Sequence, residues 1–245
     1  MRTGHSRKYV THHAVLMAAM LCAEMARAVP LPEDTNAIKT LTVEQARRLA
    51  ETFPGVRADG LNDCLPLNGL KRLDADVARA LARYDKGPLL LNGLTSIGAD
   101  TVKPLAEFQD ILVLSGLTTL AVDAAKALAN TPAWNGQLLQ LTSLDAETAQ
   151  ALALCPKWTG RLPRLTALES PDAVATARAL AARPGRLRLT GLKRVSPKTL
   201  AALIEKRDVE IPLIETLEFI PEPDGSTTED FVIPEWLKDR QRRAR

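Results

Sequence analysis

The chain has 245 residues, of which 46% are hydrophobic, so it can form a sizeable core in one large domain or two small ones. Only 4% are aromatic, so this core has to be built mainly from leucine and alanine, which suits a thin stacked array better than a broad interior. The formal net charge is only +3, which argues against the concentrated basic face of a nucleic-acid-binding protein.

The first 28 residues have the pattern of a secretory signal peptide. A basic N-terminal segment precedes an apolar run at residues 14–23, and Ala26 and Ala28 are small residues of the kind that signal peptidase reads. The apolar run is shorter than the roughly 20 residues needed to span a bilayer. We therefore expect cleavage after Ala28 and a mature chain that is secreted or located in the periplasm or cell envelope, without a transmembrane segment. The alternatives are an uncleaved anchor and a start codon assigned too early.

Cleavage would change both the charge and the available chemistry. It would subtract four basic residues and one acidic residue from totals of 32 and 29, so the mature chain would be neutral. It would also remove His5, His12 and His13, the only histidines of the chain. Histidine is the commonest general base and a common metal ligand. We therefore predict no catalytic residues, no metal site and no cofactor.

Near-copies of one segment recur along most of the chain. The clearest runs from Leu89 to Ile97 and reads LLLNGLTSI, and each copy is marked by a leucine that recurs every 23 to 27 residues. These leucines are Leu70, Leu94, Leu117, Leu141, Leu165, Leu192 and Leu217. A period in the twenties is typical of a solenoid.

Two periodicities alternate within each copy. Leu89 and Leu91 are apolar at every second position, which predicts a short strand. Leu105 and Ala106 then follow Val102 by three and four residues, a spacing that places them on one face of a helix. Each copy is therefore predicted to contain a strand, a turn, a helix and a return.

The starts of the helices carry recognisable signals. Thr42 and Gln45 have the spacing of a capping box, and Ser196 precedes a proline at the first helical position. Acidic residues also recur at these starts: Glu44, Asp76, Asp100, Asp123, Glu147 and Asp172. A row of carboxylates could bind Ca²⁺, but helices pack about 8–10 Å apart, whereas Ca²⁺ ligands lie at about 2.3–2.6 Å. We therefore favour interaction with the helix dipoles.

This pattern resembles the leucine-rich repeat, and more closely a bacterial secreted variant whose LNGLTSL-type units are followed by an alanine-rich helix. The resemblance covers about residues 38–217. It implies an α/β fold, a leucine-rich-repeat-like solenoid of about seven strand-helix units with a short parallel sheet on one face and helices on the other. The expected organisation is a signal peptide at 1–28, a linker at 29–37, the solenoid at 38–220, and a C-terminal cap with a basic tail at 221–245.

Four residues near the C-terminus have a predicted structural role. Phe231, Ile233, Trp236 and Leu237 are expected to cover the C-terminal end of the stack, with a solvated tail from Lys238 to Arg245.

Trp134 and Trp158 repeat 24 residues apart, beside Gly136 and Gly160. They could form an aromatic platform for a sugar, but we favour closure of the groove between helix and sheet, with the glycines permitting a turn.

Cys64 and Cys155 lie four units apart, or about 19 Å at the usual strand spacing of about 4.8 Å. A disulfide requires Cα atoms within about 7 Å. Two separate buried thiols are therefore expected.

The resemblance implies that binding uses the outward positions of the strand face. One row of such positions is Pro66, Leu90, Val113, Gln137, Arg161, Arg188 and Leu213. The next row is Asn68, Asn92, Ser115, Leu139, Pro163, Thr190 and Glu215. Exposed apolar residues beside amides suit a protein interface. The candidate binding residues are Leu90, Asn92, Val113, Ser115, Asn68, Gln137, Arg161 and Arg188.

We expect a secreted or envelope repeat protein that serves as a protein-binding or scaffolding module. Its partner would be an unknown protein or envelope polymer, and not nucleic acid. An envelope carbohydrate-active hydrolase is the alternative, but it would need two carboxylates facing one cleft, whereas the two rows contain only Glu215. The chain is therefore not expected to be an enzyme. A purely structural stack of repeats is a third possibility.

Overall fold

The computed structural model describes residues 31–58, 61–222 and 231–243, and these form a mixed α/β fold. The predicted signal peptide lies outside the described residues. The chain divides into Met1–Glu33 and Asp34–Arg245, and all the elements below belong to the second unit.

Eight short α-helices occur among the described residues. They are α1 (Val43–Thr52), α2 (Ala75–Leu81), α3 (Ala99–Leu105), α4 (Val122–Ala129), α5 (Ala146–Ala153), α6 (Ala173–Ala182), α7 (Pro197–Ile204) and α8 (Glu235–Arg243). From α1 to α7, each helix packs against the next one along the chain.

The strands are also short, and they form three small sheets rather than the single sheet expected. They are β1 (Val56–Ala58), β2 (Leu61–Pro66), β3 (Leu89–Leu90), β4 (Leu112–Val113), β5 (Ala167–Leu168), β6 (Leu187–Arg188), β7 (Arg194–Val195), β8 (Val209–Glu210) and β9 (Glu218–Phe219). The sheet orders are β1-β2-β3-β4, β5-β7-β9 and β6-β8. Only β1 and β2 pair antiparallel, and the other strand pairs described are parallel.

The core is aliphatic, as the composition predicts. The seven leucines that mark the copies are all at most 7% exposed, so the repeated motif forms the interior of the fold. Trp134 and Trp158 are 0% and 1% exposed. The two tryptophans therefore fill the core, and they form no exposed platform for a sugar.

An asparagine ladder joins the first copies of the motif. Asn36 Oδ1 accepts a hydrogen bond from the Asn68 main-chain N–H (3.2 Å), and Asn68 Oδ1 accepts one from the Asn92 N–H (3.0 Å). Asn92 Oδ1 in turn accepts from the Ser115 N–H (3.0 Å), and the ladder ends there because serine has no side-chain amide. Asn36 lies in the single-turn 3-10 helix Thr35–Ala37, so these residues of the expected linker belong to the ordered array.

The glycine and threonine of the motif also act between neighbouring copies. A Cβ at Gly93 would overlap the main-chain oxygens of Asn68 and Leu70, so only glycine allows the chains to approach this closely. The threonine directly after the second leucine of the motif forms another link, because the Thr118 N–H and hydroxyl both donate to Thr95 O at 2.9 and 3.1 Å. The motif therefore specifies contacts between copies as well as a buried leucine row.

The helix starts follow the sequence signals in most cases. The capping box of Thr42 and Gln45 is present, with bonds of 2.9 and 3.2 Å, and the Ser196 side chain accepts from Thr199 N–H. Of the six acidic residues predicted to lie at helix starts, five lie in the first turn of a helix. The exception is Asp172, which is the N-cap residue of α6.

The two described cysteines are buried, and no disulfide joins them, as predicted. Cys64 Sγ donates to Val56 O (2.9 Å) across the β1–β2 pair. Beside it, the Tyr84 hydroxyl donates to Asp63 O (2.9 Å), and burial raises the pKa of that hydroxyl to about 12. The β1–β2 pair is therefore tied to the core at its Cys64 end.

The C-terminal residues form a docked helix where a solvated tail was expected. Lys238–Arg243 continue α8, and Leu237 is fully buried. Arg240 donates to Arg207 O and Val209 O (2.7 Å each), because its guanidinium reaches the outer edge of β8. These contacts cover unpaired carbonyls of an edge strand, which would otherwise be open to pairing with another chain.

Candidate functional site

The strand face formed by β2, β3 and β4 is largely closed to solvent. Leu90 lies in register between Pro66 and Val113, and it is only 1% exposed. Pro66 is buried and Val113 half-buried. The expectation that Leu90 belongs to an exposed patch is therefore wrong. The uninterrupted run from Leu89 to Leu91 is typical of a parallel strand buried on both faces, whereas alternation alone predicts one open face.

The side-chain amides predicted to bind a ligand in this half already form hydrogen bonds within the protein. Asn68 and Asn92 are half-buried, and each side-chain oxygen accepts a main-chain hydrogen bond from the next copy. Ser115 is also half-buried, and its main-chain N–H is the last donor of the ladder. A ligand would have to compete with the ladder for the oxygens of Asn68 and Asn92.

The predicted row of outward residues breaks between Val113 and Gln137. Leu112 forms a parallel bridge with Trp134, so the residue level with Val113 comes directly after Trp134. Gln137 lies further along the chain and belongs to a different level of the array. Val113 and Gln137 therefore do not share one row.

A glycine causes the irregular path at this break. Gly136 has φ of 74°, a left-handed conformation that other residues adopt rarely, and a Cβ there would overlap Lys157 O. Gln137 N–H donates to Asn135 Oδ1 (3.1 Å), so Gln137 lies in a side-chain-stabilised turn. Residue periodicity could not reveal this change of register.

The C-terminal half of the strand face is open and charged. Arg161 forms a parallel bridge with Arg188, so these two predicted residues do lie side by side. Arg188 is paired in register with Glu210, and Arg188 Nε lies 3.0 Å from Glu210 Oε2. The sequence placed Leu213 at this level, but Glu210 occupies it. The alternation of Asp208, Val209 and Glu210 is the sequence signal that could have identified this strand.

Further arginines extend this face. We name Arg161, Arg186, Arg188 and Arg207, together with Glu210, the arginine surface. Arg161, Arg186 and Arg207 are exposed, and within the part of the chain that the structure describes they form no ion pair. Among the described residues, the surface thus has three guanidinium groups without a carboxylate partner and one pair, Arg188 with Glu210.

A cleft of about 500 Å³ opens at the end of the arginine surface. We name it the arginine cleft, and its lining includes Arg186, Arg207, Asp208, Glu210, Leu213 and Arg240. Asp208 already contacts Lys206 Nζ (3.0 Å), and Glu210 is engaged by Arg188. The cleft is therefore positively charged.

The wall of the cleft on the α8 side is held in place by several contacts. The Arg240 guanidinium that bonds β8 also lies 5.1 Å from the centre of the Trp236 ring. Gln241 accepts from Ile214 N–H (3.0 Å) and donates to Pro212 O (2.9 Å). The composition of this segment predicted only a basic tail. These contacts join residues about 30 positions apart, so the local sequence does not indicate them.

A buried arginine lies behind the same region. The Arg183 guanidinium is 5.0 Å from the centre of the Trp158 ring, and it donates to Trp158 O (2.7 Å) and to Arg186 O. Burial lowers the pKa of Arg183 from its ordinary value. The Lys206 ammonium donates to Arg183 O (2.7 Å), so the segment that carries Arg186 is anchored from below.

Within residues 31–58, 61–222 and 231–243, no group of three or more histidine, cysteine, aspartate or glutamate side chains is arranged to hold a metal ion. None of the helices in those ranges combines the length and apolar character needed to span a bilayer. Comparison of the sequence with models of known protein families and with curated proteins finds no match.

Proposed function

We propose that the chain is a leucine-rich-repeat-like solenoid of about seven units that binds another protein through the arginine surface. Three features support the solenoid: the 23 to 27-residue spacing of the buried leucines, the consecutive packing of α1 to α7, and the asparagine ladder between neighbouring copies. Repeat arrays of this kind expose extended surfaces for binding.

The observation that carries the binding role is a set of arginines that form no ion pair among the described residues. Arg161, Arg186 and Arg207 are exposed on one end of the strand face, while Leu90 at the other end is buried. A guanidinium binds carboxylates in a bidentate manner, so such a surface suits an acidic patch on a partner. This supports a scaffold that recognises an acidic protein, without catalysis.

Capture from native envelope extract tests this proposal. The immobilised chain should retain a defined partner, and the Arg161→Glu/Arg188→Glu double variant should lose it, because charge reversal repels an acidic surface. Arg178→Glu is the matched control, since Arg178 is exposed on α6, away from the strands. Equal recovery by all three proteins would remove the arginine surface from consideration.

Export to the envelope or the medium is part of the same proposal. It rests on the basic, apolar and small-residue pattern of residues 1–28. The mass of the protein recovered outside the cytoplasm should correspond to a chain that begins at Val29. Hydrolysis of any member of a glycan panel by the purified protein would instead favour the enzyme alternative.

A further inference from the structure

We propose that the arginine cleft binds an extended peptide segment in which carboxylate side chains lie next to apolar ones. This inference rests on the proposed function and specifies the chemistry of the partner. The cleft volume of about 500 Å³ lies within the range of about 300–1,000 Å³ typical of ligand-binding pockets.

The charge of the cleft selects an anionic group. Its two acids are already neutralised, Asp208 by Lys206 and Glu210 by Arg188, each at 3.0 Å. Arg186 and Arg207 form no ion pair among the described residues. An incoming carboxylate would therefore meet two guanidinium groups without having to displace a partner.

The apolar part of the lining selects a peptide over a purely anionic polymer. Ile211 and Leu213 are half-buried beside Arg207, and both line the cleft. A sulfated or phosphorylated polymer would cover these side chains with polar groups, whereas a leucine-like side chain would bury them from water. The combination fits an acidic residue with an apolar neighbour.

The edge of β8 indicates how the peptide is recognised. Arg240 occupies the outward carbonyls of Arg207 and Val209 at 2.7 Å, so the partner does not add to the sheet as another strand. Recognition falls to the side chains of Arg186, Arg207 and Leu213. The identity of the peptide side chains should therefore decide affinity.

Fluorescence anisotropy with synthetic probes tests the assignment. The probes are a short labelled peptide of alternating glutamate and leucine, one of glutamate and serine with the same charge, and inorganic polyphosphate as a competitor. The full-length protein should bind the glutamate–leucine peptide at least about tenfold more tightly than the glutamate–serine peptide, and polyphosphate should compete weakly.

Variants of the cleft locate the site. Arg186→Glu and Arg207→Glu should each weaken the glutamate–leucine peptide about tenfold or more, whereas Arg178→Glu should bind it like the wild type. Leu213→Ser should weaken that peptide and leave the glutamate–serine peptide unchanged. Circular dichroism of each variant verifies folding, and Arg186→Glu is the safer variant because the Arg186 side chain makes no hydrogen bond among the described residues.

The outcomes separate this inference from the proposed function. Equal affinity for both peptides, tighter binding of polyphosphate, or indifference to Arg186→Glu and Arg207→Glu would each overturn the peptide assignment. If one of these peptide results occurs but the Arg161→Glu/Arg188→Glu variant still fails to capture the envelope partner, the proposed function stands and the cleft assignment falls. If peptide binding is lost from the cleft variants but no partner depends on Arg161 and Arg188, only the cleft assignment stands.

Discussion

The two halves of the protein join successive copies of the motif by different chemistry. In the N-terminal half, residues 34–133, the side-chain oxygens of Asn36, Asn68 and Asn92 accept hydrogen bonds from the next copy. In the C-terminal half, residues 134–222 and 231–243, charged side chains add further links. Arg194 contacts Glu169 on one side (2.8 Å) and Glu218 on the other (3.4 Å).

Carboxylates also link the helices of the C-terminal half. Asp172 Oδ2 accepts from the Ala146 N–H at the start of α5 (2.8 Å), and Glu222 Oε1 accepts from the Lys198 N–H in α7 (3.0 Å). Neutral amides link copies without leaving charge on the surface, whereas ion pairs leave a charged face. The exposed arginines of the arginine surface lie in the half whose copies are joined by charged side chains.

The largest expected effect concerns burial in the N-terminal half. Leu90→Ala should lower the free energy of unfolding by about 2–5 kcal/mol, because it removes a side chain that is 1% exposed and leaves a cavity. Urea unfolding followed by circular dichroism measures this. Leu154→Ala is the control, since Leu154 is 78% exposed and should change stability by less than about 0.5 kcal/mol. Similar small losses for both would mean that the face at Leu90 is open after all.

The next effect concerns the end of the C-terminal half. Arg240→Ala removes two charged hydrogen bonds to β8 and should cost about 2–3 kcal/mol. Freed carbonyls on an edge strand should also promote self-association, visible by sedimentation velocity. Arg242→Ala is the control, because the Arg242 side chain is 68% exposed and its ion pairs contribute little. An Arg240→Ala protein with the sedimentation and stability of the wild type would contradict a stabilising role for the contact between α8 and β8.

A smaller effect is expected from the asparagine ladder. Asn92→Ala should cost about 1–2 kcal/mol, because the Ser115 N–H loses its acceptor. Ser115→Ala should be nearly neutral, since only the main chain of Ser115 takes part in the ladder. Hydrogen exchange at the Ser115 amide measures the local consequence. Unchanged protection of that amide in Asn92→Ala would show that the ladder does not hold the copies together.

The smallest effect is a pH dependence confined to the C-terminal half. The Ser170 side chain and then the Ala146 N–H donate to the Asp172 carboxylate, and they lower its pKa from the ordinary 3.8. Because the folded state has the lower pKa, this contribution to stability is fully present above about pH 4 and is lost as the pH falls through the lower value. Asp172→Asn should be less stable by about 0.5–1 kcal/mol near neutral pH, and the difference should vanish in acid.

Tryptophan fluorescence can follow that titration, because Trp134, Trp158 and Trp236 all lie in the C-terminal half. Asp100→Asn provides the control, since the Asp100 side chain is 89% exposed. Parallel stability curves for wild type and Asp172→Asn between about pH 5 and pH 2 would remove Asp172 from the link between α5 and α6.

Much of the local structure could be predicted, and much less of the candidate site. The capping box at Thr42 depends on a neighbour three residues away, and the buried leucine row recurs at a regular spacing, so the sequence pattern reveals both. The pairing of Arg161 with Arg188 followed from the repeat spacing. Glu210 and Arg240 were missed because their contacts do not follow the repeat spacing: Glu210 pairs with Arg188, 22 residues before it, and Arg240 bonds Val209 at a separation of 31 residues.

The sequence by itself determined the repeat period, the aliphatic core and most helix starts, because each is a pattern of residue types at short, regular spacing. Only the tertiary structure decided that Leu90 is covered, that the row breaks at Gly136, and that α8 closes the edge of β8. Each of these depends on the register in which segments far apart in the chain align with one another. Periodicity does not encode this register, and a shift of one residue exchanges the exposed side chains for the buried ones.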